Sequence, residues 1–202
     1  MIKTNTLRWV GLGGRLKLFP CANSAGIRAP YLSVYPPAFN DTYVKATSIF
    51  GVNWQPYYAA NPANSVIGDP TSKAWAGDIS AGFQPQRFHF DFGAGVIVKR
   101  IYYQNMHYNG VVTTWGIKDF TFWGSNTAGS FADLVYSHDT GWSSITTDTT
   151  SFLQHVSANT YDPRFILVTN VTSYRYYAFK CSTNWGDPDF IGVRRIELQV
   201  AV

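Results

Sequence analysis

Four segments of the sequence place aromatic rings beside amide, imidazole or carboxylate side chains. They are residues 53–58 (NWQPYY), 105–110 (NMHYNG), 141–142 (GW) and 184–187 (NWGD). Aromatic rings pack on the apolar C–H faces of a sugar, and neighbouring polar groups bind its hydroxyls. The segments therefore predict a carbohydrate-binding surface, with candidate ligand contacts at Trp54, Tyr57, Tyr58, His107, Tyr108, Asn109, Trp142, Asn184 and Trp185.

The same residue types also serve other purposes. Tyr and Trp are enriched at protein interfaces, so Tyr57, Tyr58 and Tyr108 fit a subunit contact equally well. Trp75 and Trp123 are expected to pack within the fold. A sugar site and a subunit interface therefore remain open as alternatives.

The sequence lacks the residue patterns of the common catalytic sites. The four histidines have no helical zinc spacing, and there is no Gly-x-Ser-x-Gly elbow. Residues 11–14 (GLGG) lack the third spaced glycine of a dinucleotide loop. Only one Glu occurs in 202 residues, which leaves few general acids. We therefore expect a binding protein and not an enzyme.

Short strands must hold these segments. In residues 87–92 (RFHFDF), Phe88, Phe90 and Phe92 alternate with polar side chains, which is typical of a half-buried strand. Residues 118–123, 174–180 and 193–200 alternate in the same way, and turn-forming residues separate them. No long amphipathic helix is visible. The pattern predicts an all-β sandwich or jelly roll.

The order of the motifs resembles that of a known family. The motifs are 63–69 (ANSVIGD) leading to Trp75, 88–93 (FHFDFG) with 98–101 (VKRI), 117–126 (IKDFTFWGSN), and 174–180 (YRYYAFK) with 191–198 (IGVRRIEL). In this order they are similar to the discoidin, coagulation factor type C or galactose-binding-like family. The resemblance implies a galactose-binding-like jelly-roll β-sandwich over residues 41–202, with a binding surface made by loops at one end. Many relatives bind carbohydrate, and few are catalytic by themselves.

The resemblance also implies a structural calcium ion, held in many relatives by an early Asp, a nearby Thr and a closing Glu. The matching acids here are Asp69 and Glu197, but Lys73 occupies the position expected for Thr. Calcium needs about six to eight oxygen ligands, and an ammonium group offers none. Two readings stay open: Asp69 and Glu197 bind calcium with backbone carbonyls, or Lys73 pairs with Glu197 and replaces the ion. The second reading, without a cofactor, is the expectation.

The positive charge is concentrated at the N-terminus. Of the formal net charge of +4, residues 1–45 carry +5, and the remaining 157 residues carry −1. A nearly neutral body does not suit nucleic-acid binding. We interpret residues 1–40 as a basic arm or added strand that docks the module to another protein. Cys21 and Cys181 permit at most one disulfide.

The sequence predicts neither a membrane-spanning segment nor a signal peptide. No apolar run approaches the ~18 residues that cross a bilayer, and Arg8, Arg15 and Lys17 interrupt any signal peptide. A chain made in the cytoplasm and released in a virus or phage particle would need no such signal. The sequence thus favours a non-catalytic glycan-binding adhesion module on a virion surface or tail, with a homo-oligomer left open. The alternative is a purely structural capsid decoration or tail protein whose aromatic loops form subunit contacts.

Overall fold

The structure is a computed structural model that describes residues 31–80 and 85–202. Two short helices, α1 (Pro56–Ala60) and α2 (Ala128–Ala132), and a 3-10 turn (Thr113–Trp115) accompany the strands. The strands are β1 (Tyr31–Val34), β2 (Val44–Ala46), β3 (Trp75–Asp78), β4 (Gln86–Val96), β5 (Arg100–Asn105), β6 (Phe120–Ser125), β7 (Ser143–Thr147), β8 (Arg164–Thr169), β9 (Tyr174–Cys181) and β10 (Phe190–Ala201). The predicted all-β class is confirmed.

The strands form a curled antiparallel sheet with two packed layers. The order along the sheet is β1-β10-β5-β8-β7-β6-β9-β4-β2, and β3 pairs with the beginning of β10. One layer holds β1, β10, β5 and β8, and the other holds β2, β4, β9, β6 and β7, with the β7–β8 pair joining them. No helix among the described residues combines the length and apolar character needed to cross a membrane.

Alternating aromatic residues fill the space between the layers. On β4, Phe88, Phe90 and Phe92 lie in the main core, as the period of two predicts. They pack with Phe179 and Tyr177 of the neighbouring strand β9. Full burial of one such side chain contributes about 1.5–3 kcal/mol. This core fixes the strands that carry the loops.

The other face of β4 is also covered, although the sequence predicted a strand exposed on that face. Arg87 and His89 are fully buried because the long connection between β6 and β7 folds over them. Arg87 donates hydrogen bonds to the carbonyls of Val135 and Tyr136 and forms an ion pair with Asp139. Period-two alternation reports the strand, but it does not report what packs on its polar face.

Four connections meet at one end of the fold. There β5 ends and β10 begins, since Asn105 pairs with Val193. At the same end β9 ends and β4 and β6 begin, since Cys181 pairs with Gln86 and with Phe120. We call this end the loop end; its connections are 47–55, 106–119, 148–163 and 182–189.

Two N-terminal predictions meet the structure only in part. Tyr31–Val34 lies within the range interpreted as an arm or added strand, and it pairs with the last residues of β10. The rest of the basic arm, residues 1–30, lies outside the described residues. Cys181 is fully buried in the main core, and Cys21, its one candidate partner, also lies outside them.

Candidate functional site

Four aromatic rings from three different segments meet at the loop end. Phe50 contacts Phe190 with ring centroids 4.5 Å apart, and Phe190 contacts Trp115 at 4.5 Å. Trp54 closes the group, at 5.9 Å from Trp115 and 6.0 Å from Phe50. We call these four residues the aromatic wall.

Backbone contacts hold three residues of the aromatic wall in place. The Phe50 N–H donates to the carbonyl of Ala76 on β3 at 2.8 Å. Phe190 is the first residue of β10 and pairs with Asp78. Trp115 ends the 3-10 turn, and the turn follows Val112, which has a left-handed φ of 56°.

The rings differ in what solvent can reach. Trp54 is only 8% exposed, because it packs on Ala74, Ala76 and Met106. Phe50 is 45% exposed, whereas Trp115 and Phe190 are half-buried. Trp54 is therefore the buried member of the aromatic wall, and the other three rings form its accessible surface.

Polar groups lie beside the wall. Thr114 precedes Trp115 in the chain, and its hydroxyl donates to a carboxylate oxygen of Asp187 at 3.3 Å. The backbone N–H of Trp185 donates to the carbonyl of Thr114 at 3.1 Å, and the Lys118 ammonium lies 5.3 Å from the centroid of the Trp185 ring. The indole Nε1–H of Trp185 has no hydrogen-bond partner within the described parts of the chain. The arrangement offers flat apolar faces together with a hydroxyl, a carboxylate and an ammonium.

Asn184 has a structural task in this loop. Its amide nitrogen donates to the carbonyls of Asp187 and Phe190, at 2.7 and 2.8 Å. Its amide oxygen accepts the N–H of Gly186 at 2.9 Å. Asn184 therefore shapes the segment that carries Trp185, and its polar atoms are already engaged.

His107 turns inward instead of facing a ligand. It is fully buried and stacks on His155 with centroids 4.0 Å apart. Its Nε2–H donates to the carbonyl of Val66 at 2.8 Å, and its Nδ1 accepts the N–H of Gly110 at 3.0 Å. Burial lowers the pKa of its imidazole to about 4.

The two residues after His107 lie nearer to solvent. Tyr108 is half-buried, and its hydroxyl donates to Asp69 at 3.1 Å. Asn109 is exposed in a left-handed conformation with φ of 50°. Both stay at the loop end, where Asn109 contacts the carbonyl of Gly68.

Three other predicted contacts lie away from the aromatic wall. Tyr57 and Tyr58 are in α1, which packs on β2, β3 and β10, and their rings contact each other at 4.7 Å. Trp142 is 8% exposed on the far face of the β4 layer, where it packs with Phe131 and Tyr176. The prediction that Trp142 joins the loop site is therefore corrected, because its connection folds over the sheet and buries the ring.

The two acids of the expected calcium site belong to separate groups. Asp69 accepts the Thr71 N–H at 2.8 Å and the Tyr108 hydroxyl. Glu197 accepts the Ser33 hydroxyl at 2.7 Å and pairs with Arg195 at 2.9 Å. Glu197 thus pairs with Arg195, where the sequence suggested Lys73. Within residues 31–80 and 85–202, no three His, Cys, Asp or Glu side chains are arranged to hold a metal ion.

Solved structures share this fold. No protein-family model matches the sequence, and a search of curated proteins gives no match. The family 32 carbohydrate-binding module of Clostridium perfringens NanJ, in complex with galactose, aligns over 78% of this chain and 92% of its own, with a TM-score of 0.53 and 11% identity. A second Clostridium perfringens family 32 module, in complex with GalNAc-β-1,3-galactose, aligns over 77% and 92%, with a TM-score of 0.51 and 11% identity.

A third similar structure comes from a different source. It is chitosan-binding module 1 from a chitosanase/glucanase of Paenibacillus sp. IK-5, with 19% identity, 77% and 92% coverage and a TM-score of 0.50. At these identities the likeness establishes the fold alone. The galactose-binding-like fold expected from the sequence motifs is confirmed.

Phe50, Trp115 and Phe190 are the residues that the sequence reasoning missed. Phe50 lies in the connection 47–55, just before the predicted segment 53–58, and Phe190 is the first residue of β10. Trp115 shares its connection with the predicted residues 107–109 and lies between two glycines, Gly110 and Gly116. That position in a loop was the available signal for Trp115.

Proposed function

We propose that this chain is a non-catalytic carbohydrate-binding module whose ligand stacks on the aromatic wall. The observation that carries the proposal is the exposed surface of Phe50, Trp115 and Phe190 beside the Thr114–Asp187 hydrogen bond. The sugar-bound state of similarly folded modules adds support at the level of the fold.

The chemistry of the wall suits a sugar ring. One face of a pyranose presents C–H groups that pack on aromatic rings, and its edge presents hydroxyls that need polar partners. Asp187 accepts hydrogen bonds from hydroxyls, and the Lys118 ammonium donates to them. The wall supplies the contact area, and the polar groups orient the ring.

The groups beside the wall support binding without catalysis. Nucleophilic catalysis needs a base within hydrogen-bond reach of the nucleophile. The Thr114 hydroxyl donates to Asp187, but the described residues beside it contribute no histidine that would complete a triad. We therefore assign these groups to recognition.

The test is a glycan array followed by calorimetric titration of the strongest ligand. Phe50→Ala should weaken binding about tenfold, equivalent to about 1.4 kcal/mol. Phe165→Ala is the matched control, because Phe165 is another exposed aromatic residue (50%) but packs on Tyr102 and on the Arg100 guanidinium and makes no ring contact with the aromatic wall. The control should bind as the wild type does.

Two results would contradict the proposal. One is an array on which the folded protein binds no glycan. The other is a ligand whose affinity is unchanged by Phe50→Ala and by Trp115→Ala. Circular dichroism and melting of each variant separate lost binding from lost folding.

A second candidate function is a subunit contact. On β8, Phe165 and Leu167 are each about half exposed, and Phe165 packs on Tyr102 of β5 and on the Arg100 guanidinium. A folded protein that binds no glycan and sediments as an oligomer dissociated by Phe165→Ala would favour this candidate. Attachment to a virion or scaffold through the N-terminal arm stays a prediction.

A further inference from the structure

Arg194 is a fully buried arginine near the loop end. It lies on β10 at a bulge, since the pairing with β5 shifts register between Val193 and Arg195. A bulge adds a residue to one strand and re-aims its side chain. Here the side chain is directed at the connection that precedes β3.

The guanidinium is surrounded by backbone carbonyls. Its Nη1 donates to Gly68 at 2.9 Å and to His107 at 3.2 Å. Its Nη2 donates to Ser65 at 3.1 Å and to Ile67 at 2.9 Å. Only the Nε–H has no partner among the described residues.

These bonds join two loops that have no strand pairing between them. Residues 64–68 provide three of the four carbonyls, and His107 provides the fourth. Arg195 adds a hydrogen bond to the carbonyl of Asn64. A buried charge destabilises the folded state unless hydrogen bonds compensate for the lost hydration, so displacing these carbonyls from the guanidinium would cost much free energy.

Carbonyl oxygens that converge in this way form a cage for a cation. A calcium ion would need about six to eight oxygens at 2.3–2.6 Å. Four carbonyls near the early Asp are already taken by the guanidinium, and the closing acid, Glu197, pairs with Arg195. The donor set therefore does not fit a metal ion.

We propose that the Arg194 guanidinium is the internal cation that holds residues 64–68 against the His107 turn, in the place where the fold resemblance implies calcium. Burial lowers the pKa of the guanidinium to about 10, and the negative charge of Asp69 partly offsets this effect. The protein then assembles its loop end without calcium. This inference is independent of what the aromatic wall binds.

The first test uses the wild-type protein. Melting temperatures are measured in chelator and in calcium up to about 5 mM, above the dissociation constants of extracellular calcium modules. The expected result is the same melting temperature in both. A rise of several degrees with calcium would show that an ion binds the folded state and would overturn the proposal.

The second test follows the loops by hydrogen exchange. The N–H groups of Ile67 and Gly68 are held by the Ser65 hydroxyl and the Asn159 side chain, so they report whether the segment is in place. Arg194→Lys keeps the charge but loses the fork of donors. Exchange in residues 64–69 should accelerate about tenfold or more, whereas the sheet stays protected.

Arg175→Lys is the matched control. Arg175 also forms a two-point contact, with the carboxylate of Asp91, but on the other layer. It should leave exchange in residues 64–69 unchanged. If Arg194→Lys also leaves it unchanged, a point charge suffices and the proposed cage is wrong.

Chemical rescue distinguishes a guanidinium cage from general stabilisation. In Arg194→Ala, guanidinium chloride at about 20 mM, far below denaturing concentrations, should slow exchange in residues 64–69 more than sodium chloride does. Equal effects of the two salts in the folded variant would overturn the proposal. If Arg194→Ala does not fold, the calcium titration and the lysine variant still decide it.

Discussion

The folded state should lose stability as the pH falls below about 6.5, because two buried histidines must remain neutral. Burial lowers the pKa of both His89 and His107 from 6.5 to about 4. In the unfolded chain the same side chains take up a proton near pH 6.5. The unfolded state therefore binds more protons between these values, and stability falls as the pH falls through this window.

The magnitude follows from the size of the shift. For each pH unit below the pKa of the unfolded histidine, the free energy of unfolding falls by about 1.36 kcal/mol, as long as the folded histidine stays neutral. At about pH 5 each histidine therefore costs about 2 kcal/mol, and the pair about 4 kcal/mol. That is a large part of the 5–15 kcal/mol that stabilises a typical domain.

The contacts explain why neither histidine can accept the proton in place. A proton on Nδ1 of His107 would point at the Gly110 N–H that now donates to it, and Arg194 and His155 lie beside the ring. His89 uses Nδ1–H to donate to Phe131, and the charge of Arg87 also disfavours protonation. Several aspartates, including Asp119, have pKa values lowered by hydrogen bonds. They lose their contribution only near pH 4 and below, outside this window.

The assay is urea unfolding at about pH 7.5 and about pH 5, with the free energy of unfolding extrapolated to water. His107→Gln keeps a donor for the Val66 carbonyl but does not titrate. Because His89 still titrates, the free energy of unfolding of this variant should show about half of the wild-type pH dependence. His138→Gln is the control: His138 is exposed and pairs with Asp133. A free energy that is flat between these pH values, or a full slope in His107→Gln, would refute the reasoning.

Two further predictions concern the core. Gly192→Ala should lower the free energy of unfolding in urea by about 2 kcal/mol, because its Cβ would lie 2.4 Å from the Trp75 carbonyl oxygen and 2.7 Å from Met106 Cε. Gly129→Ala is the control, because its Cβ meets nothing within 4 Å and should cost no stability. Equal losses in the two variants would contradict this account. Burial raises the pKa of the Cys181 thiol and keeps reagents away from it. In a Cys21→Ser protein, a thiol reagent at about pH 8 should therefore label Cys181 only after unfolding by urea. Labelling of the native protein at the rate of a free thiol would show that the core around Cys181 opens.

The strands were predictable because their signal is local. Alternation of Phe88, Phe90 and Phe92 with polar residues specifies a strand and its inner face without reference to the rest of the chain. The covering of the other face was not predictable in this way. It depends on a 17-residue connection, 126–142, whose aromatic residues Phe131 and Trp142 bury themselves on β9.

The position of the candidate site was predictable at the level of loops and not of side chains. The connections that carry Trp54, Tyr108 and Trp185 meet at one end, as the order of the motifs implies. Which ring faces solvent depends on what lies beneath it: Trp54 sits on Ala74 and Ala76, so it is buried, and Phe50 lies above it. An aromatic residue with a polar neighbour fits either outcome, and the sequence does not distinguish them.

The inward-turned polar residues explain how exposed rings are held in place. His107 and Asn184 were predicted ligand contacts, and Arg194 has donors that could also bind a ligand. In the structure, backbone groups of the loops accept hydrogen bonds from all three side chains. A loop ordered in this way before binding spares the ligand the entropy of ordering it. Phe50 is 45% exposed, whereas most of the other Phe side chains that the structure describes are buried. Rigid support beneath a solvent-facing aromatic surface is what a stacking ligand requires, and it makes Phe50 and Trp115 the decisive residues to test.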